Sequence, residues 1–162
     1  MALRWSDVDA NRHMNNVAIL RLLEESRIRT LWDNPWVNGM LMPREHAGES
    51  ESRDLDVALL GNDTGTVIAR QEIEYLEAMP YFRDPVDIEM WIGRIGSTSI
   101  DVCFHVRGPR ADPDLTTYAR AQCTLVLLDA IKRSPRKITA EERRAWSKIL
   151  EEPVRFSRRP RA

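Results

Sequence analysis

The amino-acid sequence predicts one α+β domain, in which a single long helix precedes an antiparallel sheet. Apolar residues recur at three- and four-residue steps between residues 16 and 32, a spacing typical of an amphipathic helix. From residue 67 onward, four stretches are rich in β-branched and aromatic residues, as strands are. The 162 residues suit one domain with one hydrophobic core. A helix followed by several strands is typical of an α+β layer arrangement.

The predicted helix covers the sequence NVAILRLLEESRIRTLW. Asn15 or Asn16 can accept hydrogen bonds from the free N–H groups of its first turn. Pro35 cannot continue a helix, so we expect it to end just before that residue. The few residues from Arg4 onward can extend as a short edge strand. The predicted apolar face consists of Val17, Leu20, Leu23 or Glu24, Ile28 and Leu31.

The strands that follow differ in how their apolar residues are arranged. Residues 86–93 and 100–107 alternate apolar and polar side chains, as half-covered antiparallel strands do, and Gly96-Ser97 joins them in a hairpin. Residues 118–128 form the longest strand, and its LVLL segment is apolar on both faces, as a central strand requires. His105 falls on a polar face, so we expect an exposed strand residue there rather than a metal ligand.

Composition and missing motifs exclude several classes of protein. With 43% apolar residues, 30% charged residues and a net charge of −1, the chain has the profile of a soluble globular protein. No apolar run is long enough to span a membrane, and no signal peptide is visible, so we expect a cytoplasmic location. Glycine-rich nucleotide-binding loops, a GxSxG motif and CxxC pairs are absent. We expect no metal and no organic cofactor, and we expect Cys103 and Cys123 to be buried free thiols.

The segment before the helix, DVDANRHMNN, is almost entirely polar and admits three interpretations. A calcium loop is disfavoured, because Arg12 stands where such a loop needs glycine and Ala18 where it needs a bidentate glutamate. A purely structural interpretation makes the segment a set of Asx turns and a helix cap, with His13 as an ordinary histidine. The third interpretation is an acyl-transfer site, because a polar loop at the positive end of a helix suits a developing oxyanion.

Three segments resemble the hotdog-fold thioesterases. DVDANRHMNNVAILRLLEESR is similar to the 4-hydroxybenzoyl-CoA thioesterase family, and more so to the D-x-N-x-H-x-N-N run of acyl-acyl-carrier-protein thioesterases. IEYLEAMPYFRDPVDIEMWIGRIGSTSIDVCFHV resembles the middle of that family, and YARAQCTLVLLDAIKRSPRKIT resembles its last strand. The resemblance implies a hotdog fold, an antiparallel sheet wrapped around one long central helix. We expect this domain to span residues 1–150, with residues 151–162 as a basic, flexible tail.

The same resemblance implies the hydrolysis of an acyl-CoA or acyl-carrier-protein thioester. Asp9 matches the catalytic aspartate, as nucleophile or as general base, and Asn16 matches the position whose backbone N–H binds the oxyanion. Asn11 and His13 match polar partners that orient water or the carbonyl group. Glu25 matches a helical glutamate, although a role in solvating the helix or in a dimer suits it equally well.

Two other functions stay open at this point. A hotdog hydratase would carry D-x-N-P-x-H, whereas Asp9 and His13 are four residues apart with no proline between them, which disfavours that activity. A non-catalytic acyl-binding or assembly protein could keep the same fold. In either case the resemblance implies a homo-oligomer, a dimer or a dimer of dimers, with active sites at the subunit boundary. Membrane and nucleic-acid partners are not expected.

Two further segments carry predictions of their own. Trp36, Val37, Met40, Leu41 and Met42 can form the lip of an acyl pocket or pack as a surface loop. Residues 132–162 hold eleven Lys or Arg against four Glu, and a capping sequence at Thr139 starts a short helix that runs to about Ile149. We expect the residues from Arg155 onward to be disordered and solvated.

Overall fold

A computed structural model describes residues 1–31, 36–37, 40–41, 60, 64–110, 114 and 116–157. Its helices and strands are α1 (Asn16–Leu31), β1 (Trp36–Val37), β2 (Met40–Leu41), β3 (Thr64–Tyr75), β4 (Val86–Ile95), β5 (Ser99–Pro109), β6 (Thr117–Asp129) and α2 (Ala140–Trp146). Among these residues, no helix combines the length and the apolar character needed to cross a membrane.

The last four strands form an antiparallel sheet in the order β3-β6-β5-β4. All four predicted strands are confirmed, and β6, with its LVLL segment, is an interior strand as predicted. Alternate residues of β5 face the core, and Val102, Phe104 and Val106 are fully buried there. The other residues of β5 lie on the outer face, where His105 is half-buried beside Glu89. The inner face of the sheet is therefore apolar, while the outer face carries polar residues such as His105 and Glu89.

Helix α1 packs on the inner face of the sheet with a side that matches the predicted one only in part. Leu23 and Leu31 are buried as predicted, and Ile19 and Leu22 are buried beside them. Val17 and Ile28, which were expected to face the core, are 51% and 37% exposed. Apolar residues lie on more than one side of this helix, so its periodicity fits two orientations, and packing on the sheet selects the one that buries Ile19 and Leu22.

The expected strand around Arg4 does not form. Trp5–Asp7 make one turn of 3-10 helix, in which the Asp7 carboxylate accepts hydrogen bonds from the backbone N–H and the guanidinium of Arg4. Extended pairing is found at Met1, whose backbone exchanges two hydrogen bonds with Val86 at the edge of β4. The local bond between Arg4 and Asp7 thus overrides the strand propensity of these residues.

The chain after β6 is fastened to the sheet at several points. Helix α2 begins at the predicted cap, where Thr139 accepts from the Glu142 N–H and the Glu142 side chain accepts from the Thr139 N–H. Arg136 bridges Glu142 and Thr64 at the start of β3.

Residues 151–157 then cross the outer face of the sheet. The indole N–H of Trp91 donates to the Glu152 carbonyl at 2.9 Å. Arg120 donates to the Ser157 hydroxyl at 3.1 Å. Gly93 makes the crossing possible, because a Cβ there would lie 3.1 Å from the Cα of Pro153 and 2.6 Å from the Cys103 sulfur. This part of the expected tail therefore lies against the sheet, while residues 158–162 are outside the described range.

Candidate functional site

A cavity of about 400 Å³ opens where the polar segment, the start of α1 and the end of β3 meet. One side is lined by Asp9, His13, Met14, Asn16 and Ile19, and the other by residues 75–79. Backbone hydrogen bonds hold the two sides together: the Met14 N–H donates to the Met79 carbonyl at 2.8 Å. A polar loop and a strand end some sixty residues apart in sequence thus form one site.

The polar loop closes around the side chain of Asp9. One carboxylate oxygen, Oδ1, accepts hydrogen bonds from the backbone N–H groups of Asn11 at 2.8 Å and His13 at 3.2 Å. The Asp9 N–H in turn donates to the His13 carbonyl at 2.8 Å. The structural interpretation is therefore correct about the Asx turn. The second carboxylate oxygen, Oδ2, has no hydrogen-bond partner among the described residues. Asp9 also lines the cavity.

Asp7, two residues earlier, has a different role. Its carboxylate is buried and pairs with the Arg4 guanidinium at 3.0 Å. The hydrogen bond from Arg4 holds the pKa of Asp7 below its ordinary value. The Asp7 carbonyl also accepts from the Asn15 N–H at 2.8 Å, so Asp7 anchors the loop to the helix start without lining the cavity.

The first turn of α1 presents an uncompensated positive end to the cavity. The side chain of Asn15 accepts from the Val17 N–H at 2.8 Å, and no acidic residue lies in this turn. The backbone N–H of Asn16, the first residue of the helix, has no hydrogen-bond partner among the described residues. Free N–H groups and the aligned peptide dipoles at such an end favour negative charge.

Tyr75 faces Asn16 from the end of β3. Its hydroxyl donates to the Asn16 carbonyl oxygen at 3.3 Å. Partial burial raises the pKa of Tyr75, so the hydroxyl keeps its proton and remains a donor. This contact ties the first residue of α1 to the strand that forms the far side of the cavity.

Three of the five predicted site residues come together in the structure. Asp9, His13 and Asn16 line the cavity. Asn11 is exposed beside it and contributes its backbone N–H to the Asp9 turn. Glu25 does not reach the cavity: it is exposed on α1 and pairs with Arg29. Nine residues separate Glu25 from Asn16, which places the two on opposite sides of the helix.

The sequence interpretation did not assign the far side of the cavity. Tyr75 and Glu77 line it, together with Ala78 and Met79. The available signal was the segment IEYLEAMP, which resembles the middle of the thioesterase family but implies no role for its residues. The predicted lip, Trp36 to Met42, lies outside the residues whose side chains are described; of its backbone, β1 and β2 are described as an antiparallel pair.

The two cysteines of the chain lie outside the cavity. Cys103 and Cys123 are buried free thiols, as predicted, and burial raises the pKa of both. Within the described ranges no three His, Cys, Asp or Glu side chains are placed to hold a metal ion. The Asp9 carboxylate, the His13 imidazole and the first residue of α1 line the cavity together.

Solved structures with the same fold extend over almost the whole chain. YbaW, a probable thioesterase from Escherichia coli, superposes with a TM-score of 0.64 and 17% identity, covering 93% of this chain and 96% of that one. A predicted thioesterase from Bacillus stearothermophilus gives 0.66 and 19%, covering 95% and 96%. A Staphylococcus aureus protein, solved in complex with CoA, gives 0.65 and 8%, covering 99% and 87%. These superpositions establish a shared fold, and at identities this low they establish the fold alone.

A family model assigns the chain to a family. A search of curated protein sequences finds no match. A family model described as the thioesterase-like superfamily matches residues 3–156. The match includes the polar loop, α1, the four-stranded sheet and nearly all of the segment that crosses it. The chain has the hotdog fold and belongs to the thioesterase-like superfamily.

Proposed function

We propose that this protein hydrolyses acyl-CoA thioesters, with the Asp9 carboxylate and the Asn16 N–H as its catalytic groups. One observation carries the proposal: a carboxylate oxygen and a helix N-terminal N–H, neither with a hydrogen-bond partner among the described residues, belong to residues that line the same cavity. A carboxylate that activates an attacking group and a donor that binds the oxyanion are the two elements that acyl transfer requires.

The chemistry can follow either of two routes from the same geometry. In the first, Asp9 removes a proton from water as the water oxygen attacks the thioester carbonyl carbon. In the second, Asp9 Oδ2 attacks that carbon itself, and water then cleaves the resulting anhydride. Both routes place negative charge on the carbonyl oxygen, where the Asn16 N–H can bind it. Both expel a thiolate, which needs little help from an acid because a thiol has a pKa of about 8.5.

His13 and Asn11 fit supporting roles in this proposal. His13 lines the cavity, and its backbone is fixed by two bonds to Asp9, so its ring can orient water or the carbonyl group. Asn11 contributes a backbone N–H to Asp9, which does not depend on the asparagine side chain. CoA is favoured over a carrier protein as the thiol, because a protein of the same fold was solved with CoA.

A thiol-release assay on a panel of acyl-CoAs is the direct test. The purified protein should release free CoA from at least one aliphatic or aromatic acyl-CoA, with saturation kinetics. A protein that binds these thioesters without releasing thiol would support the non-catalytic acyl-binding alternative. The panel includes a 2-enoyl-CoA, and loss of its enoyl absorbance without thiol release would support a hydratase instead.

We further propose that the active unit is a homodimer or a dimer of dimers. Within the described residues, β3 pairs only with β6. The backbone groups on its other edge therefore have no strand partner along a strand of twelve residues. Val67 and Ile68 are exposed at this edge. Such an edge readily pairs with another chain, and apolar surface beside it favours burial.

Sedimentation analysis should therefore give a mass of two or four chains at micromolar concentration. Val67→Glu should shift the mass toward the monomer, because it places charge at the free edge of β3. Ile131→Glu is the matched control, since Ile131 is exposed in the turn after β6. A wild-type mass of 18.7 kDa would contradict the proposal.

A further inference from the structure

An exposed pair of aromatic side chains, Trp5 and Tyr81, stands beside the polar loop. The indole of Trp5 is 76% exposed, and its ring centroid lies 5.8 Å from that of Tyr81 with the ring planes 81° apart. Rings at this angle form a corner, and so high an exposure leaves a face of the indole open to a flat ligand. Met1 pairs with Val86 at the β4 edge, so the segment that carries Trp5 is held at the opposite edge of the sheet from β3.

A short stretch of antiparallel pairing joins the aromatic pair to the cavity. His13 lines the cavity, and its backbone pairs with Pro80. In this register the next pair outward consists of Arg12 and Tyr81. The aromatic pair and Arg12 therefore lie at the rim of the cavity, one residue beyond its wall.

The distance from the aromatic pair to the helix start suits the flexible arm of CoA. Tyr75 contacts Asn16, and Tyr81 follows six residues later along the chain. Six residues extend over at most about 20 Å. In CoA, the pantetheine arm separates the thioester sulfur from the phosphorylated ADP group by a length of this order. A thioester at the Asn16 N–H would therefore have its adenine within reach of Trp5.

Arg12 supplies a positive charge at the same rim. Its side chain is exposed and has no hydrogen-bond partner among the described residues. Its backbone has a φ of 63°, in the left-handed region that residues other than glycine seldom adopt. The Arg12 N–H donates to the Asp9 carbonyl at 3.0 Å, so the turn around Asp9 holds this conformation. A guanidinium can bind phosphate oxygens through two parallel N–H donors.

We propose that Trp5, Tyr81 and Arg12 bind the phosphorylated ADP group of CoA. The adenine stacks on the indole in the corner made with Tyr81, and a phosphate group pairs with the Arg12 guanidinium. This inference rests on the proposed thioester hydrolysis at Asp9 and names the part of the chain that holds the far end of the substrate. Stacking on aromatic rings and pairing with arginine are the two contacts by which proteins hold a flexible nucleotide at an open surface.

Calorimetric titration with adenosine 3′,5′-bisphosphate, the nucleotide end of CoA, tests the site without a reaction. Trp5→Ala should raise the dissociation constant about tenfold or more, as the loss of a stacked base implies. Arg12→Gly should also raise it and should reduce its dependence on salt concentration, because a charge is removed. Glycine keeps the N–H that donates to Asp9 and adopts a positive φ without strain, so the turn should persist.

The turn after β6 offers a matched control for each variant. Ile131→Ala shortens an apolar side chain that is 92% exposed. Arg133→Gly removes an exposed arginine whose φ is 51°, the same change as Arg12→Gly at a similar backbone conformation. Both controls should bind adenosine 3′,5′-bisphosphate as wild type does.

Kinetics then connect the site to the thioester. The comparison is between an acyl-CoA and the pantetheine thioester of the same acyl group, which lacks the nucleotide. Wild-type protein should prefer the acyl-CoA by about tenfold or more in kcat/KM, mainly through KM, and Trp5→Ala should lose most of this preference.

Three results would overturn the proposal: an equal loss on both thioesters, an unchanged affinity for the bisphosphate in both variants, or a changed oligomer mass in Trp5→Ala. Binding of the bisphosphate without any preference for acyl-CoA would assign the aromatic pair to a free nucleotide and would also overturn it. Failure to hydrolyse any thioester refutes the proposed function, whereas the titration still decides whether Trp5 and Arg12 form a nucleotide site.

Discussion

Replacing Asp9 with asparagine should abolish thioester hydrolysis and leave the fold intact. The asparagine oxygen can still accept from the Asn11 and His13 N–H groups, so the turn that Asp9 closes should persist. The second oxygen, which faces no partner in the described chain, becomes an uncharged NH₂ group. Loss of an acid–base group costs roughly 10²–10⁴ in rate, and loss of a nucleophile should cost at least as much. Initial rates on a good acyl-CoA substrate, with circular dichroism and melting curves, measure both expectations.

Asp7→Asn is the matched control, since the same change is made two residues away. Asp7 is buried against Arg4 and does not line the cavity. This variant should lose stability, because it weakens the pair with Arg4, but its folded fraction should keep its activity. His13→Ala and Asn11→Ala should give smaller losses than Asp9→Asn. Near wild-type hydrolysis by folded Asp9→Asn, or a greater loss of activity in folded Asp7→Asn, would show that the catalytic carboxylate has been misplaced.

The sheet was predictable because its signals are local. Alternation within β4 and β5, the Gly96-Ser97 turn and the doubly apolar LVLL segment of β6 each depend on a few adjacent residues. The side of α1 that faces the sheet was not predictable in the same way. Val17 and Ile28 form as regular an apolar pattern as Ile19 and Leu22, and the choice is made by contacts with strands sixty or more residues later.

In the candidate site, too, some residues have local sequence signals and others depend on long-range contacts. Asp9, His13 and Asn16 lie within eight residues of one another, so their grouping could be inferred from the sequence. Tyr75 and Glu77 reach the cavity because β3 ends beside the start of α1, a long-range contact that the family resemblance of this segment does not by itself predict. The burial of Arg27 against Cys123 likewise depends on the orientation of α1, which the periodicity of the sequence does not settle.

The second large effect is expected at the helix start, where Asn16→Pro should lower kcat by about 10²–10³. Proline removes the backbone N–H that we assign to the oxyanion. At the first position of a helix this N–H has no intrahelical partner, and the fixed φ of proline suits the position, so α1 should form normally. Proline also favours an extended conformation at Asn15, which a helix cap adopts in any case. Because the donor acts on charge that develops in the transition state, kcat should fall much more than KM changes.

Asn16→Ala separates the N–H from the side chain. Alanine keeps the backbone donor and removes only the amide group, so this variant should hydrolyse thioesters at close to the wild-type rate. The Asn16 carbonyl that accepts from Tyr75 is present in both variants, so the contact with β3 does not distinguish them. Equal losses in the two variants would assign the role to the Asn16 side chain. A folded Asn16→Pro protein with wild-type kcat would mean that the oxyanion is bound elsewhere and that the free end of α1 serves only to start the helix.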